Sequence, residues 1–383
     1  MSENDTQTMA DRRKVLTGVG VTALGGLAGC TGGNSSTNNQ DTTTEEPLNL
    51  DFGGMSLNVT INTGKFAQSF QRWVIPRVEE KYNLNINAET MWTSQQTSKV
   101  LANRKNPPAA VMMGREGIHR LAKEDMLVPL SDHTDVVTNY SEVHDQFKWD
   151  DGHGVAYEIG EVDPLVVLGD GPFDSAPKSW DAMFKQSNKI ALTPFAWSSG
   201  PQVLMMAAAI ASDAEFGSIS KKSQIDAGFQ YLEENVAPKT TAIWKNAQQL
   251  KQLVASKSAD AFVPWFDYIN AHWLRKKEYE MMRRPKPAGI PYAQSVAVTK
   301  NNSKKKQKAA LAYINEALAA DFQTKASRFL VQGVTNKNAE LAPIAKKIDV
   351  PTAETFSGLT YQNFEFMWAN RSKWEKRWAS IFK

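Results

Sequence analysis

Leu57, Val59 and Ile61 alternate with polar neighbours and stop at Thr63-Gly64, the period-two pattern of a half-buried strand. Phe66, Phe70, Trp73, Val74, Val78 and Tyr82 then recur every three or four residues, so a helix with one apolar face follows. Leu84, Ile86 and Ala88 alternate again, and Ala109 to Met113 make a third strand after another helix-sized stretch. Strands reached through helices predict a mainly parallel sheet with helical cover. Any ligand site then belongs beyond the carboxyl ends of the strands.

The pattern restarts downstream. Pro177-Lys178-Ser179-Trp180-Asp181 opens a short helix, Lys189 to Leu192 reads as a strand, and residues 201–216 read as a helix. Ala259 to Val263 is a short strand-like run that ends in the loop Pro264-Trp265-Phe266-Asp267, and Ser295 to Thr299 is extended and valine-containing. Residues 303–322 are helical, with Ala310, Leu311, Ile314, Ala317 and Leu318 on one face and Ser303 placed as N-cap. The last helix, 361–382, carries Phe364, Trp368, Trp374, Trp378 and Phe382 at spacings that predict a packing face. A chain of 383 residues exceeds what one compact core usually holds, so two α/β lobes are expected. The expected division is lobe 1 from 55–155 plus 295–383 and lobe 2 from 156–294.

Residues 1–54 carry no such pattern. Arg12 and Arg13 precede Lys14-Val15-Leu16 and an apolar stretch of about 14 residues, too short for a membrane span of roughly 20. The arginine pair resembles a twin-arginine export signal. Leu27-Ala28-Gly29-Cys30 resembles a lipobox, and Cys30 is the chain's one cysteine, so a signal peptide over 1–29 and lipid on the Cys30 thiol are expected. Residues 30–54 are dominated by Thr, Asn, Ser, Gly and Glu and read as a disordered tether. Twenty such residues reach roughly 25 Å.

Charge adds little: 44 Lys+Arg against 41 Asp+Glu leave a net +3, which does not suggest a nucleic-acid partner. The five histidines, His119, His133, His144, His153 and His272, form no H-E-x-x-H and have no cysteine partner, so neither a zinc site nor another cofactor is expected. No G-x-S-x-G elbow, Walker loop or dinucleotide fingerprint occurs, which disfavours an enzyme.

Several stretches resemble the extracellular solute-binding proteins of ABC transporters, of type II periplasmic-binding-protein fold. They are Pro76-Arg77-Val78-Glu79-Glu80-Lys81-Tyr82, Gly154-Val155-Ala156-Tyr157, Pro177-Lys178-Ser179-Trp180-Asp181-Ala182-Met183-Phe184, Ser258-Ala259-Asp260-Ala261 and the closing Trp374 to Trp378. The last two are similar to the branch that includes polyamine, thiamine and iron(III) binders. The resemblance covers about 55–383. It implies two hinge-linked lobes closing on a small solute, with crossings near 155–165 and 286–299, and a membrane permease as partner. A monomer tethered on the outer face of the membrane is expected.

Loops after strands nominate Gly64-Lys65-Phe66, Trp92-Thr93, Gly114-Arg115, Tyr157 to Glu161, Phe195 to Gly200, Trp265 to Asp267 and Tyr292 to Gln294 as cleft residues. Trp265, Phe266 and Asp267 set aromatic faces beside a carboxylate, a combination that holds an organic cation; the acidic group Glu158, Glu161 and Asp163 could add negative charge, and Tyr157 is a candidate by position. Trp197, Ser198 and Ser199 precede Pro201 at a helix start and, with Arg115, would instead grip an anion such as a phosphonate or carboxylate. Tyr292 is a further candidate. Iron(III) in this branch would be expected to show adjacent tyrosines, and no Tyr-Tyr pair occurs. A sensory ligand presenter or an anchored hydrolase are the alternatives of another class. Cys30→Ser is expected to leave the body folded and release it from the membrane; protein still pelleting after a carbonate wash would refute the anchor.

Overall fold

The computed structural model describes residues 50–263 and 273–382. Cys30, Arg12 and Arg13 lie outside the described residues, as do Trp265, Phe266 and Asp267. The described chain builds two mixed sheets, each covered by helices. The first contains β1 (Met55–Ile61), β2 (Leu84–Thr90), β3 (Ala110–Gly114), β4 (Lys148–Trp149), β5 (Gly154–Val162), β11 (Ile290–Val298) and β12 (Gly333–Val334), in the order β12-β5-β11-β3-β1-β2 with β4 on β5. β1 runs parallel to β2 and β3, whereas β11 is antiparallel to β3 and β5. The second contains β6 (Leu165–Val167), β7 (Ile190–Leu192), β8 (Thr240–Ile243), β9 (Ala261–Phe262) and β10 (Tyr279–Met281), in the order β10-β6-β9-β7-β8.

The early periodicities become the elements they predict. The helix after β1 runs through α1 (Lys65–Ser69), a π turn (Phe70–Val74) and α2 (Ile75–Tyr82). Pro76 lacks the N–H a regular turn would use and crowds the preceding carbonyls, and the widened π turn accommodates it. Phe70 is fully buried by this geometry, with its ring 5.2 Å from Tyr157 and 5.4 Å from Phe322 in the first core. The stretch expected as one helix over 303–322 is two, Lys304–Leu318 and Ala320–Leu330, because Ala319 is extended (ψ 137). Asn336 Nδ2 donates to the Leu318 carbonyl at 2.9 Å, satisfying the group the break exposes. Ser303 caps as expected, accepting from the Lys306 N–H.

The outgoing crossing falls within its expected range, and the return begins a few residues ahead of its own. β5 lies wholly in the first sheet and β6 in the second, so the chain changes sheet at Asp163-Pro164; it returns between Met282 and Ile290. The final helix, Phe364–Ile381, also departs from expectation. Placed with lobe 1 by sequence order, it sends Met367, Trp374 and Trp378 into the core beneath the second sheet, where Trp378 lies 5.3 Å from the ring of Phe195. Local periodicity gives a helix its apolar face and leaves the choice of core to tertiary packing.

In the second core α6 (Ser199–Ser212) packs on α7 (Lys222–Asn235) with no room for a side chain at Gly228, where an added Cβ would lie 2.8 Å from the Ala208 Cα. Gly228→Ala should therefore force the helices apart and destabilise by about 1–3 kcal/mol despite its better helix propensity. Chemical denaturation measures this, and a variant as stable as the parent would contradict the packing.

Candidate functional site

A cavity of about 490 Å³ opens where the carboxyl ends of the parallel strands face each other. From the first sheet, the turn after β1 brings Asn62 to Phe66, the turn after β2 brings Trp92 to Ser94 at the start of α3 (Thr93–Ala102), and Glu116 comes from the first turn of α4 (Arg115–Lys123) after β3. From the second, Trp197 and Ser198 precede α6, while Trp244 and Asn246 lead from β8 to α8 (Ala247–Ala255). Gln294 of β11 joins them, and the C-terminal helix contributes Trp368 and Arg371. This is the switch-point location that open α/β sheets favour.

The walls are aromatic and touch across the cleft. Trp92 and Trp197, one from each side, have ring centroids 4.3 Å apart at 34°, and Trp244 stands edge-on to Trp197 at 4.8 Å. Glu116 accepts a hydrogen bond from Ser198 Oγ, and its carbonyl accepts from Trp368 Nε1 at 2.8 Å. Gly114 makes room for the folded-back carboxylate, since a Cβ there would lie 2.5 Å from Glu116 Oε2. Burial pushes the Glu116 carboxyl above its ordinary pKa, against the lowering effects of Ser198 and Arg371.

Both cations of the wall bond to main-chain carbonyls. Arg371 donates to the Ala196 carbonyl at 2.7 Å and lies 5.3 Å over the Trp368 ring, and burial lowers its pKa. Lys65 Nζ donates to the Phe329 carbonyl at 3.0 Å. At the cavity floor Asn62 Nδ2 donates to Gln294 Oε1 at 3.1 Å, while Gln294 Nε2 is buried with no hydrogen-bond partner.

Of the residues nominated from sequence, Trp197 and Ser198 line the cavity, together with Gly64, Lys65, Phe66, Trp92, Thr93 and Gln294 from the nominated loops. Ala196 of the nominated Phe195–Gly200 loop lines it too, and the other described nominees lie elsewhere. Ser199 is buried against Thr193, with the hydroxyls 2.7 Å apart. Tyr157 donates its hydroxyl to the Met112 sulfur at 3.3 Å inside the first core, and Tyr292 packs in the second. Arg115 turns from the cavity into a box of Trp149 and Tyr361, each 4.2 Å from its guanidinium carbon, with Phe364 beyond. One helical step places Glu116, and not Arg115, in the cleft. Sequence reading missed Glu116, Trp244, Trp368 and Arg371. Adjacency to the nominated Gly114-Arg115 was the available signal for Glu116, and the i, i+3 spacing of Trp368 and Arg371 marked a helix face without saying what it faced.

Glu158 pairs in register with Gln294 and is buried beside it. Both carboxylate oxygens lack a hydrogen-bond partner, and burial pushes the pKa well above the ordinary carboxylate range. The folded protein thus keeps a proton that the unfolded chain has already lost, so stability is full below the unfolded-state pKa and falls as pH rises toward the folded one. Glu158→Gln is expected to be more stable than the parent at neutral pH, by on the order of 1 kcal/mol, and to flatten that decline. Urea unfolding across the acid-to-neutral range measures both; an unchanged slope would contradict a protonated Glu158.

Comparison with known proteins agrees with this architecture. The structure resembles an ABC transporter protein from Clostridium perfringens (TM-score 0.67, 19% identity, 85% of this chain and 100% of that one). It also resembles the spermidine/putrescine substrate-binding protein PotD from Streptococcus pneumoniae (0.62, 17%, 86% and 98%) and MotA from A. tumefaciens B6 in complex with glucopine (0.66, 14%, 86% and 100%). No curated protein matches the sequence. The signature of the bacterial extracellular solute-binding proteins matches residues 73–354, most of the chain. With two helix-covered sheets and an aromatic cleft between their strand ends, the chain belongs to the bacterial extracellular solute-binding protein family.

Proposed function

We propose that this protein captures a small organic cation, of the polyamine class, and delivers it to an ABC importer. The observation that carries this reading is the cavity itself: Trp92, Trp197, Trp244 and Trp368 surround a space whose one described carboxylate is Glu116. Aromatic faces and a carboxylate shielded from water attract a cation by its ring quadrupole interaction and by charge. Lys65 and Arg371 also reach the cavity, where each has part of its donor set engaged by a main-chain carbonyl. Arg115, the residue on which the anion reading rested, is packed among aromatic rings away from the lining. Trp265, Phe266 and Asp267 remain candidates on sequence grounds, as further aromatic and acidic groups for the same solute.

Export through Arg12 and Arg13 and lipidation at Cys30 complete the proposal. They would place the capture domain on the outer face of the membrane, within reach of a permease. Delivery needs a protein that holds solute and gives it up, and contacts from both lobes meet that need by making affinity depend on closure.

Calorimetric titration with putrescine, spermidine and thiamine, beside phosphonates and dicarboxylates, tests the solute class. Glu116→Gln is expected to weaken a bound cation roughly tenfold to a hundredfold, with Trp197→Ala comparable. Because the cation needs Glu116 ionised, affinity should rise with pH through the raised pKa of that carboxyl in the parent and stay level in Glu116→Gln. Binding of an anion, lost on Arg371→Ala and retained in Glu116→Gln, would overturn the cation reading.

A further inference from the structure

The two crossings between the sheets carry opposite charges at the same level. Glu161 stands at the end of β5 and Asp163 on the outgoing crossing that follows, both fully buried, and Arg283 and Arg284 stand on the return. Arg283 Nη1 lies 3.0 Å from Asp163 Oδ2 and 3.8 Å from Glu161 Oε2, and Arg284 Nε donates to Glu161 Oε1 at 2.8 Å. Arg284 Nη1 also reaches Asp349 Oδ2, at 3.8 Å, on the segment that follows Leu330. The Met282 N–H donates to the Pro164 carbonyl at 2.8 Å, so the two crossings are also tied through their backbones. None of these side chains lines the cavity.

Residues two apart on an extended segment project to the same side, so the Glu161 and Asp163 carboxyls face each other as well as the arginines; burial and Glu161 push the Asp163 carboxyl up, and Arg283 is the partner that favours its ionised form. Without Arg283, a buried carboxylate would keep its like-charged neighbour and lose its counter-ion, a cost relieved by letting water in. Water enters only if the crossings part. A few crossing residues absorb the rotation of one lobe against the other, so parting them loosens the contacts made across the cleft, Ser198 to Glu116 and Trp92 to Trp197.

We propose that Arg283 and Arg284 are positioning residues for capture: by clasping Glu161 and Asp163 they hold the crossings together and set the balance between open and closed lobes. Affinity then falls in proportion to the closed fraction, although no residue of the clasp touches solute. The affinity consequence rests on the solute-binding reading; the lobe geometry does not.

The test uses the full chain with Cys30→Ser, Lys105→Cys and Lys221→Cys, spin-labelled at the two exposed positions, one in each lobe. Pulsed electron-spin distance measurement without solute should give longer, broader distances in Arg283→Gln than in the parent and intermediate ones in Arg283→Lys. Adding Asp163→Asn to Arg283→Gln, which removes the stranded charge, should bring the distances back toward the parent. A parent-like distribution in folded Arg283→Gln overturns the proposal, as does a double variant no closer to the parent. If Arg283→Gln does not fold, a parent-like Arg283→Lys overturns it instead. With putrescine as probe, Arg283→Lys should bind about threefold or more weakly. If the parent ignores putrescine while the distances shift as expected, the solute class fails and the clasp stands.

Discussion

Two strands, Gly154–Val162 and Ile290–Val298, are buried at all nine positions of each and pair with one another, and both lobes hang from that ladder. Edge strands need one apolar face; these two are covered on both sides, at the centre of the first sheet. Their outer ends run directly into the crossings. A rigid ladder leads into short crossings, themselves joined by the hydrogen bond from the Met282 N–H to the Pro164 carbonyl, and so limits to a few residues the places where one lobe could turn against the other.

The cleft answers a different constraint. Its polar groups are drawn from strand ends on both sides, and they stand among aromatic faces that cannot satisfy them. Most therefore have partners before solute arrives: Glu116 with Ser198, Arg371 with main-chain carbonyls, Asn62 with Gln294. A solute must replace some of these bonds with better ones, which favours a ligand that brings charge to Glu116 and surface to the tryptophans over one that brings only shape.

Much of the fold was legible because period two and period 3.6 are imposed locally. Leu57-Val59-Ile61, the helix face from Phe66 to Tyr82 and the Ser303 cap each need only their neighbours to be read. What escaped was set by distant partners. The break at Ala319 depends on Asn336, the placing of Trp374 and Trp378 depends on the second core, and the turning of Arg115 out of the cleft depends on Trp149 and Tyr361. The candidate site divides along the same line. Loops after strands supplied Lys65, Trp92 and Trp197 by topology alone, whereas Trp244, Trp368 and Arg371 come from elements whose position no local pattern specifies.

The C-terminal helix supplies a wall of the cleft and a face of the second core at once. If this helix lifts, the cavity wall opens and the apolar surface behind it is uncovered in one event. A solute that holds Trp368 and Arg371 in place therefore also protects the second core, so that occupancy of the cleft and resistance to unfolding rise together.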